Sequence, residues 1–413
     1  MRVRRSPLSR CLRGALAPAA ALPVLVLACA RPIAPPPALP VPAVRAESTV
    51  ARRVAPGVVH RAYTIARGPW TVHVLDVDQR ACWTPAALKP ALAAAGRATV
   101  LSLTQALAVG GDRRVAGAVN ADFFSLTAPT GVPTGAHVQS GVVIAGPGVR
   151  PVFAVDAGGR VHLGVLHARG TIESGRDTIA VDAWNRGSPR VAMFDANWGV
   201  RTDSAPGRLF VRLRGSRASL GDAAWAAVIA VRDSADVAAI GAGEWVIAAG
   251  ASTPHDTRAR LRTLRPGVDS VRVAMRLDPV QPREAVGGHP MLVRDGRVLP
   301  DVDSAGNAGF RGVNPRTAVG VGDAGRRLFL VTVDGRQPGF SVGISLRDLA
   351  ELMRELGATD ALNLDGGGST TFVVADSVGA ALRVANRPSD AQGPRAVGNA
   401  LGIVRGCAGS AAP

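Results

Sequence analysis

Lysine is all but missing from this sequence: of its 48 basic residues among 413, only Lys89 is not an arginine. Such one-sided usage along a whole chain reads as codon bias. The arginines are scattered, with no block of five or six and no basic stripe interleaved with aromatics. The formal charge of +17 therefore does not argue for a nucleic-acid partner. Seven arginines and no acid precede Glu47, so the remainder is less basic than the total. Aromatics are scarce, at 4%. There is no C-x-x-C or H-E-x-x-H, and His162 and His167 would face opposite sides of one strand, so no zinc site is expected. Asp301 and Asp303 lack the later acidic ligand of a calcium loop and read as a solvated turn. No lysine precedes a serine or threonine as a P-loop requires. Gly339–Gly343 spells G-x-S-x-G, but an α/β-hydrolase histidine must follow its serine, and the last histidine is His289. Neither metal nor cofactor is expected. No internal repeat is visible.

The N-terminus reads as an export signal. Arg2, Arg4, Arg5, Arg10 and Arg13 form a positive region, and Gly14 to Ala28 is apolar but too short for a permanent span. It ends in Val26-Leu27-Ala28-Cys29, similar to a lipoprotein box with Cys29 as the lipidated residue; plain signal-peptidase cleavage is the alternative. Proline-rich Pro32 to Pro42 reads as an extended tether. The expected location is the periplasm or cell envelope, with the membrane touched only through the lipid. Cys82 and Cys407 remain in the mature protein, and an oxidising compartment makes them candidate disulfide partners. The chain thus divides into a signal (1–28), a tether (29–50), one domain (51–406) with a strand-rich middle at about 165–280, and a tail (407–413).

Within the domain the pattern is α+β: a mixed β-sheet core with few helices. Strands are expected at Ala116–Val119, at Pro151–Asp156 with Val161–Leu166, and at Thr317–Gly322 with Arg327–Val333. The middle should hold strands at Ala226–Val231, Glu244–Ala249 and Ser270–Met275, and a helix near Asp256–Leu264. Pro85–Ala95 and Ser102–Ala108 have helical composition. Ser345–Leu356 is the clearest helix. Ser345 and Asp348 cap it, Leu349, Leu352, Met353 and Leu356 share a face, and Gly357 ends it.

The most informative segment is Asn363–Thr371, in which Asp365 is followed by Gly366, Gly367, Gly368 and Ser369. Consecutive glycines mark close backbone approach, and such a loop offers N–H groups and hydroxyls to a phosphate or sugar; a tight turn is the bland alternative. Asp334 and Asp365 would lie near each other if the strands leading to them were parallel neighbours. Asn120, Arg316, Asp334, Arg336, Asn363, Asp365 and Ser369 then form a polar set at strand ends. Singly, each reads as an ion pair, a strand-end cap or a turn residue. Jointly, they suit an anionic sugar ester.

The set resembles the phosphodiester glycosidase family. The matching pieces are Val119–Phe124, Pro133–Gly135 before Gly141, Gly287–Val293, Asn314–Gly320, Asp334–Arg336, Ser341–Gly343, Leu362–Thr370, Asn386–Asp390 and Asn399–Gly402. The resemblance spans about Ala51 to Val404. It implies hydrolysis of a sugar-1-phosphodiester at the glycosidic C–O bond, releasing sugar and phosphomonoester. It implies Asp365 as general base or nucleophile with Asp334 as its partner. Arg316, the amides of Gly366 to Gly368 and the Ser369 hydroxyl would hold phosphate, Arg336 would join the substrate contacts, and Asn120 and Asn363 would bind sugar hydroxyls. Asp122 stands where the family has a small residue and is given no catalytic role. The rival readings are an envelope lipoprotein that binds sugar phosphate without turnover, and a phosphodiesterase cutting P–O. Oligomeric state is not legible.

Overall fold

The computed structural model describes residues 44–109, 114–215, 220–304 and 311–407. The signal, Cys29 and most of the tether lie outside them. Among the described residues strands dominate and gather into four sheets, all but one of whose pairings are antiparallel. The largest continuous frame near the polar set is an eight-stranded sheet. Its order is Ser48–Ala55, Val58–Ile65, Trp70–Asp78, Arg327–Val333, Arg316–Gly322, Asp360–Asn363, Met291–Arg294, Arg297–Val298. A five-stranded sheet lies against it, ordered Leu382–Val384, Phe372–Ala375, Val115–Asn120, Ala400–Arg405, Trp83–Leu88.

Burial explains the layering. Leu75, Val319, Leu330 and Leu362 of the large sheet share one apolar cluster with Val119, Phe372, Leu401 and Ile403 of the smaller one. The opposite face of the large sheet takes the helix Leu346–Glu355, whose Leu349, Leu352 and Met353 pack with Val72, Phe329 and Val331. Strands clothed on both faces read as near-continuous apolar runs, as Arg327–Val333 does. The helix starts as its sequence predicts: Ser345 Oγ accepts the Asp348 N–H at 3.0 Å. Gly357 beyond it takes φ +98°. The middle of the chain builds the other eight-stranded sheet, with Ala223–Ala235, Glu244–Ala249 and Ser270–Asp278 where strands were expected, and His255–Arg262 as its helix.

One expected helix is a strand. Trp83–Leu88 pairs with Ala400–Arg405, and Pro85 sits opposite Ile403. Because this strand is at the edge of its sheet, proline there costs little, and tertiary pairing overrides the alanine- and leucine-rich composition. Val100–Val109 is helical as expected. Cys82 and Cys407 are disulfide-bonded, joining the start of this edge strand to the end of the domain. Among the described residues no helix is long and apolar enough to cross a membrane.

Candidate active site

The large sheet converges its polar residues on one edge. Arg316 opens the strand Arg316–Gly322, which pairs antiparallel with Arg327–Val333 on one side and Asp360–Asn363 on the other. The two outer strands therefore run parallel, and Asp334 and Asp365 leave them at the end where Arg316 begins. They are not neighbours, as the sequence reading supposed; the Arg316 strand lies between them. The smaller sheet adds the chain beyond Val115–Asn120: the Asp365 N–H donates to Ala121 O at 2.7 Å.

At this edge is a cavity of about 160 Å³, lined by Phe123, Asn314, Arg316, Arg336, Asp365, Gly366, Gly367, Gly368 and Arg395. Three arginines and one aspartate thus line a single cavity. Arg316 is 4% exposed. Burial, with the neighbouring Arg336 charge, draws it down to about 10, so it stays cationic at neutral pH. Arg336 is presented from a turn at φ +59°, and its Nη2 donates to Asn314 Oδ1 at 3.0 Å. Arg395 is held by Asp390 through bonds of 2.8 and 3.1 Å. Burial pushes Asp365 up to about 6, opposed by the Ser369 hydroxyl, the Gly366 N–H and the Arg395 charge. The carboxylate is walled by protein even though the residue opens partly to the cavity. Ser369 is buried, and its hydroxyl lies near enough to Asp365 to act on its charge without forming a well-aligned hydrogen bond.

Two of the three glycine N–H groups are already used inside the protein. The Gly366 N–H donates to Asp365 Oδ1 at 2.9 Å and the Gly367 N–H to Pro315 O at 2.8 Å, so these two amides are engaged within the protein. What the glycines provide is clearance. A Cβ on Gly368 would overlap Asp390 and Arg395, and one on Gly367 would stand 3.1 Å from Arg336 Nη2. Gly367 also takes φ +60°, a region costly for any other residue. The loop lets two arginines pack against it beside Asp365.

Three more assignments change. Asn120 is wholly buried. Its Nδ2 donates to Asp365 O at 2.6 Å, while Oδ1 accepts Thr317 Oγ1 at 2.8 Å and the Thr371 N–H at 3.1 Å. Asn363, equally buried, donates to His289 O at 2.6 Å and Leu364 O at 2.9 Å. Both amides position backbone and neither lines the cavity. Asp334 also stays out of it. Its oxygens accept Asn386 Nδ2 at 2.8 Å and the Arg387 N–H at 3.0 Å, and burial pushes it up to about 6. Asn386 in turn donates to Thr370 O at 3.1 Å, so Asp334 braces the loop from behind. The buried Ser341 hydroxyl donates to Asp334 O at 2.6 Å, a strut rather than a nucleophile. Phe123, Asn314 and Arg395 were missing from the expected set. All three sit in or beside pieces of the resemblance, but only the folded chain shows them lining the same cavity as Asp365.

Fold and site define a strand-rich α+β protein with an arginine-lined cavity around one carboxylate. Residues 226–404 match the phosphodiester glycosidase family model, a span holding Arg316, Arg336, Asp365, the glycines and Arg395 but not Phe123. Among solved structures, a hypothetical protein from Synechocystis superposes with a TM-score of 0.68 at 21% identity. The alignment covers 87% of this chain and 64% of that one, so this chain spans less than two thirds of its length. A Burkholderia pseudomallei protein described as exported gives 0.57 at 26% identity, covering 81% and 74%. The catalytic domain of zebrafish N-acetylglucosamine-1-phosphodiester alpha-N-acetylglucosaminidase gives 0.39 at 16% identity, covering 86% and 87%. No curated protein matches.

Proposed function

We propose that the protein hydrolyses a sugar-1-phosphodiester at the glycosidic C–O bond, with Asp365 as the group that meets the anomeric centre. The observation that carries this reading is that Asp365 shares the lining of a single cavity with Arg316, Arg336 and Arg395. A phosphate monoester leaves as a weak base, so its departure needs charge stabilisation more than protonation, and fixed guanidinium groups supply that. At about 160 Å³ the cavity is smaller than the ~300–1,000 Å³ usual for whole ligands. It suits the phosphate and the reacting carbon, with the remainder of the substrate outside. Asp365 acts as base toward water or as nucleophile, and the anomer of the product distinguishes these.

The reading extends to place: an exported protein, lipid-anchored at Cys29, acting on envelope or exopolysaccharide glycans. The bonded Cys82–Cys407 pair supports an oxidising compartment. Turnover in oxygen-18 water tests the chemistry. Label in the sugar is the expected result. Label in the phosphate identifies P–O cleavage, and tight binding without turnover identifies a sugar-phosphate receptor.

A further inference from the structure

The arginines nearest two adjacent glycines of the loop, Arg336 at Gly367 and Arg395 at Gly368, are carried by different segments. Arg336 sits in a tight reversal after the strand Arg327–Val333. The Arg336 N–H donates to Val342 O at 3.1 Å, the Gln337 N–H to Ser341 O at 3.0 Å and the Phe340 N–H to Gln337 O at 3.0 Å. Gln337 and Phe340, on this reversal, are half-buried. Arg395 belongs to the segment between the strands Leu382–Val384 and Ala400–Arg405, and Asp390 of the same segment grips it.

Arg387, earlier in the Arg395 segment, meets that reversal with its N–H, its carbonyl and its side chain. The N–H donates to Asp334 Oδ2 at 3.0 Å, and the carbonyl oxygen accepts Gln337 Nε2 at 2.8 Å. The guanidinium carbon lies 5.2 Å from the centre of the Phe340 ring, within the ~6 Å at which a cation is drawn to an aromatic ring. Arg387 is exposed, so contacts made here add little to folding stability. What they fix is the placement of one segment against the other. A binding group displaced by about 1 Å costs far more in rate than such contacts are worth in stability.

We propose that Gln337, Phe340 and Arg387 form a clasp that sets the separation of Arg336 and Arg395, holding both guanidinium groups where a phosphate requires them before it arrives. None of the three lines the cavity, so they act through the two arginines and are positioning residues. Charges fixed in advance need no reorganisation as the phosphate departs, which is how they lower the barrier. The inference rests on the proposed role of the arginines as phosphate-binding groups, and it names what couples them.

The double variant Gln337→Ala/Phe340→Ala tests it, because both changes lie on the Arg336 reversal while their effect should reach Arg395 on the other segment. On a sugar-1-phosphodiester, kcat/KM should fall roughly tenfold or more. The melting temperature should move by no more than about 3 °C. Phe340→Tyr, which keeps the ring, should keep the rate. In an Arg395→Ala background the double variant should lose much less than it does in the wild type, because a contact that the clasp positions is already gone. Full additivity with Arg395→Ala, or a rate within about threefold of wild type, overturns the clasp. Amide hydrogen exchange supplies a readout independent of turnover: the stretch from Asp390 to Arg395 should exchange faster in the double variant. Unchanged exchange there also overturns the clasp. If no sugar-1-phosphodiester is hydrolysed, the proposed function fails while the exchange result still decides the clasp.

Discussion

Gly368→Ala separates what the glycine loop does from what it resembles. Gly368 is absent from the positive-φ positions, so alanine suits its backbone. The atoms nearest the added Cβ would be the ends of two side chains, the Asp390 carboxylate and the Arg395 guanidinium. Both can swing away, since their side chains are 26% and 37% exposed. An ion pair this open contributes ~0–1 kcal/mol, so the melting temperature should move by no more than about 3 °C. What swings away with Arg395 is a cation of the cavity that the proposed function assigns to the departing phosphate. Losing one charge-assisted contact costs ~1.5–3 kcal/mol, or roughly 10- to 150-fold in kcat/KM. Steady-state kinetics on a sugar-1-phosphodiester, run beside thermal melting, measure both. In an Arg395→Ala background the change should add almost nothing, because the two act on one contact. Gly366→Ala is the contrast: its Cβ would stand 2.6 Å from the Pro315 carbonyl oxygen, rigid backbone, and should cost stability first. The reasoning fails if Gly368→Ala keeps kcat/KM within about threefold, or if its loss adds fully to that of Arg395→Ala.

Asp365→Asn should lower turnover by several orders of magnitude while keeping the fold; near-normal rates would remove Asp365 from the chemistry. Its stability effect has a definite sign. The folded state holds this proton more tightly than the unfolded one, so wild-type stability falls as pH rises from 3.8 to about 6, and the variant should lack that slope in melts across the range. Arg316→Ala should weaken phosphate-bearing ligands far more than the free sugar, by calorimetry, and Arg316→Lys should rescue poorly because one ammonium cannot reproduce the planar fork. Asn120→Ala should destabilise by about 2–4 kcal/mol in denaturant melts, since three hydrogen bonds go, two of them buried. Cys82→Ser should cost about 2–5 kcal/mol in the same assay, and no change would mean that the bridge adds nothing to the fold.

The sequence announced its elements best where local chemistry and tertiary demand agreed. The helix after Ser345 carried its own cap, apolar face and terminal glycine, and the sheet it covers asked for nothing else. The hairpin of Thr317–Gly322 and Arg327–Val333 was equally plain, because a strand buried on both faces leaves an unbroken apolar run. Pro85–Ala95 misled because its composition speaks to isolated helices. The edge position opposite Ala400–Arg405 is a fact of another part of the chain. Strand order was hidden for the same reason. Placing Asp334 and Asp365 at one edge needed only their direction, but the intervening Arg316 strand follows from pairing, which no local pattern encodes.

The site shows a sharper version of this limit. Glycines beside a carboxylate mean that something approaches closely, but the sequence does not say whether a ligand or a side chain does. Here Arg336 and Arg395 come from segments far apart in the chain, and the clearance at Gly367 and Gly368 is filled by them. The same ambiguity misplaced the amides. Asn120 and Asn363 stand among charged residues, as sugar-binding amides would, yet each is buried and tied to backbone that carries the site. A polar residue at a strand end can contact a ligand only if the fold leaves it open to the cavity. In this site the cations and Asp365 face the cavity, and the amides are consumed in holding Asp365 there. Arginine placement around the cavity in turn depends on neighbours of both kinds, the Asn314 amide that holds Arg336 and the Asp390 carboxylate that holds Arg395.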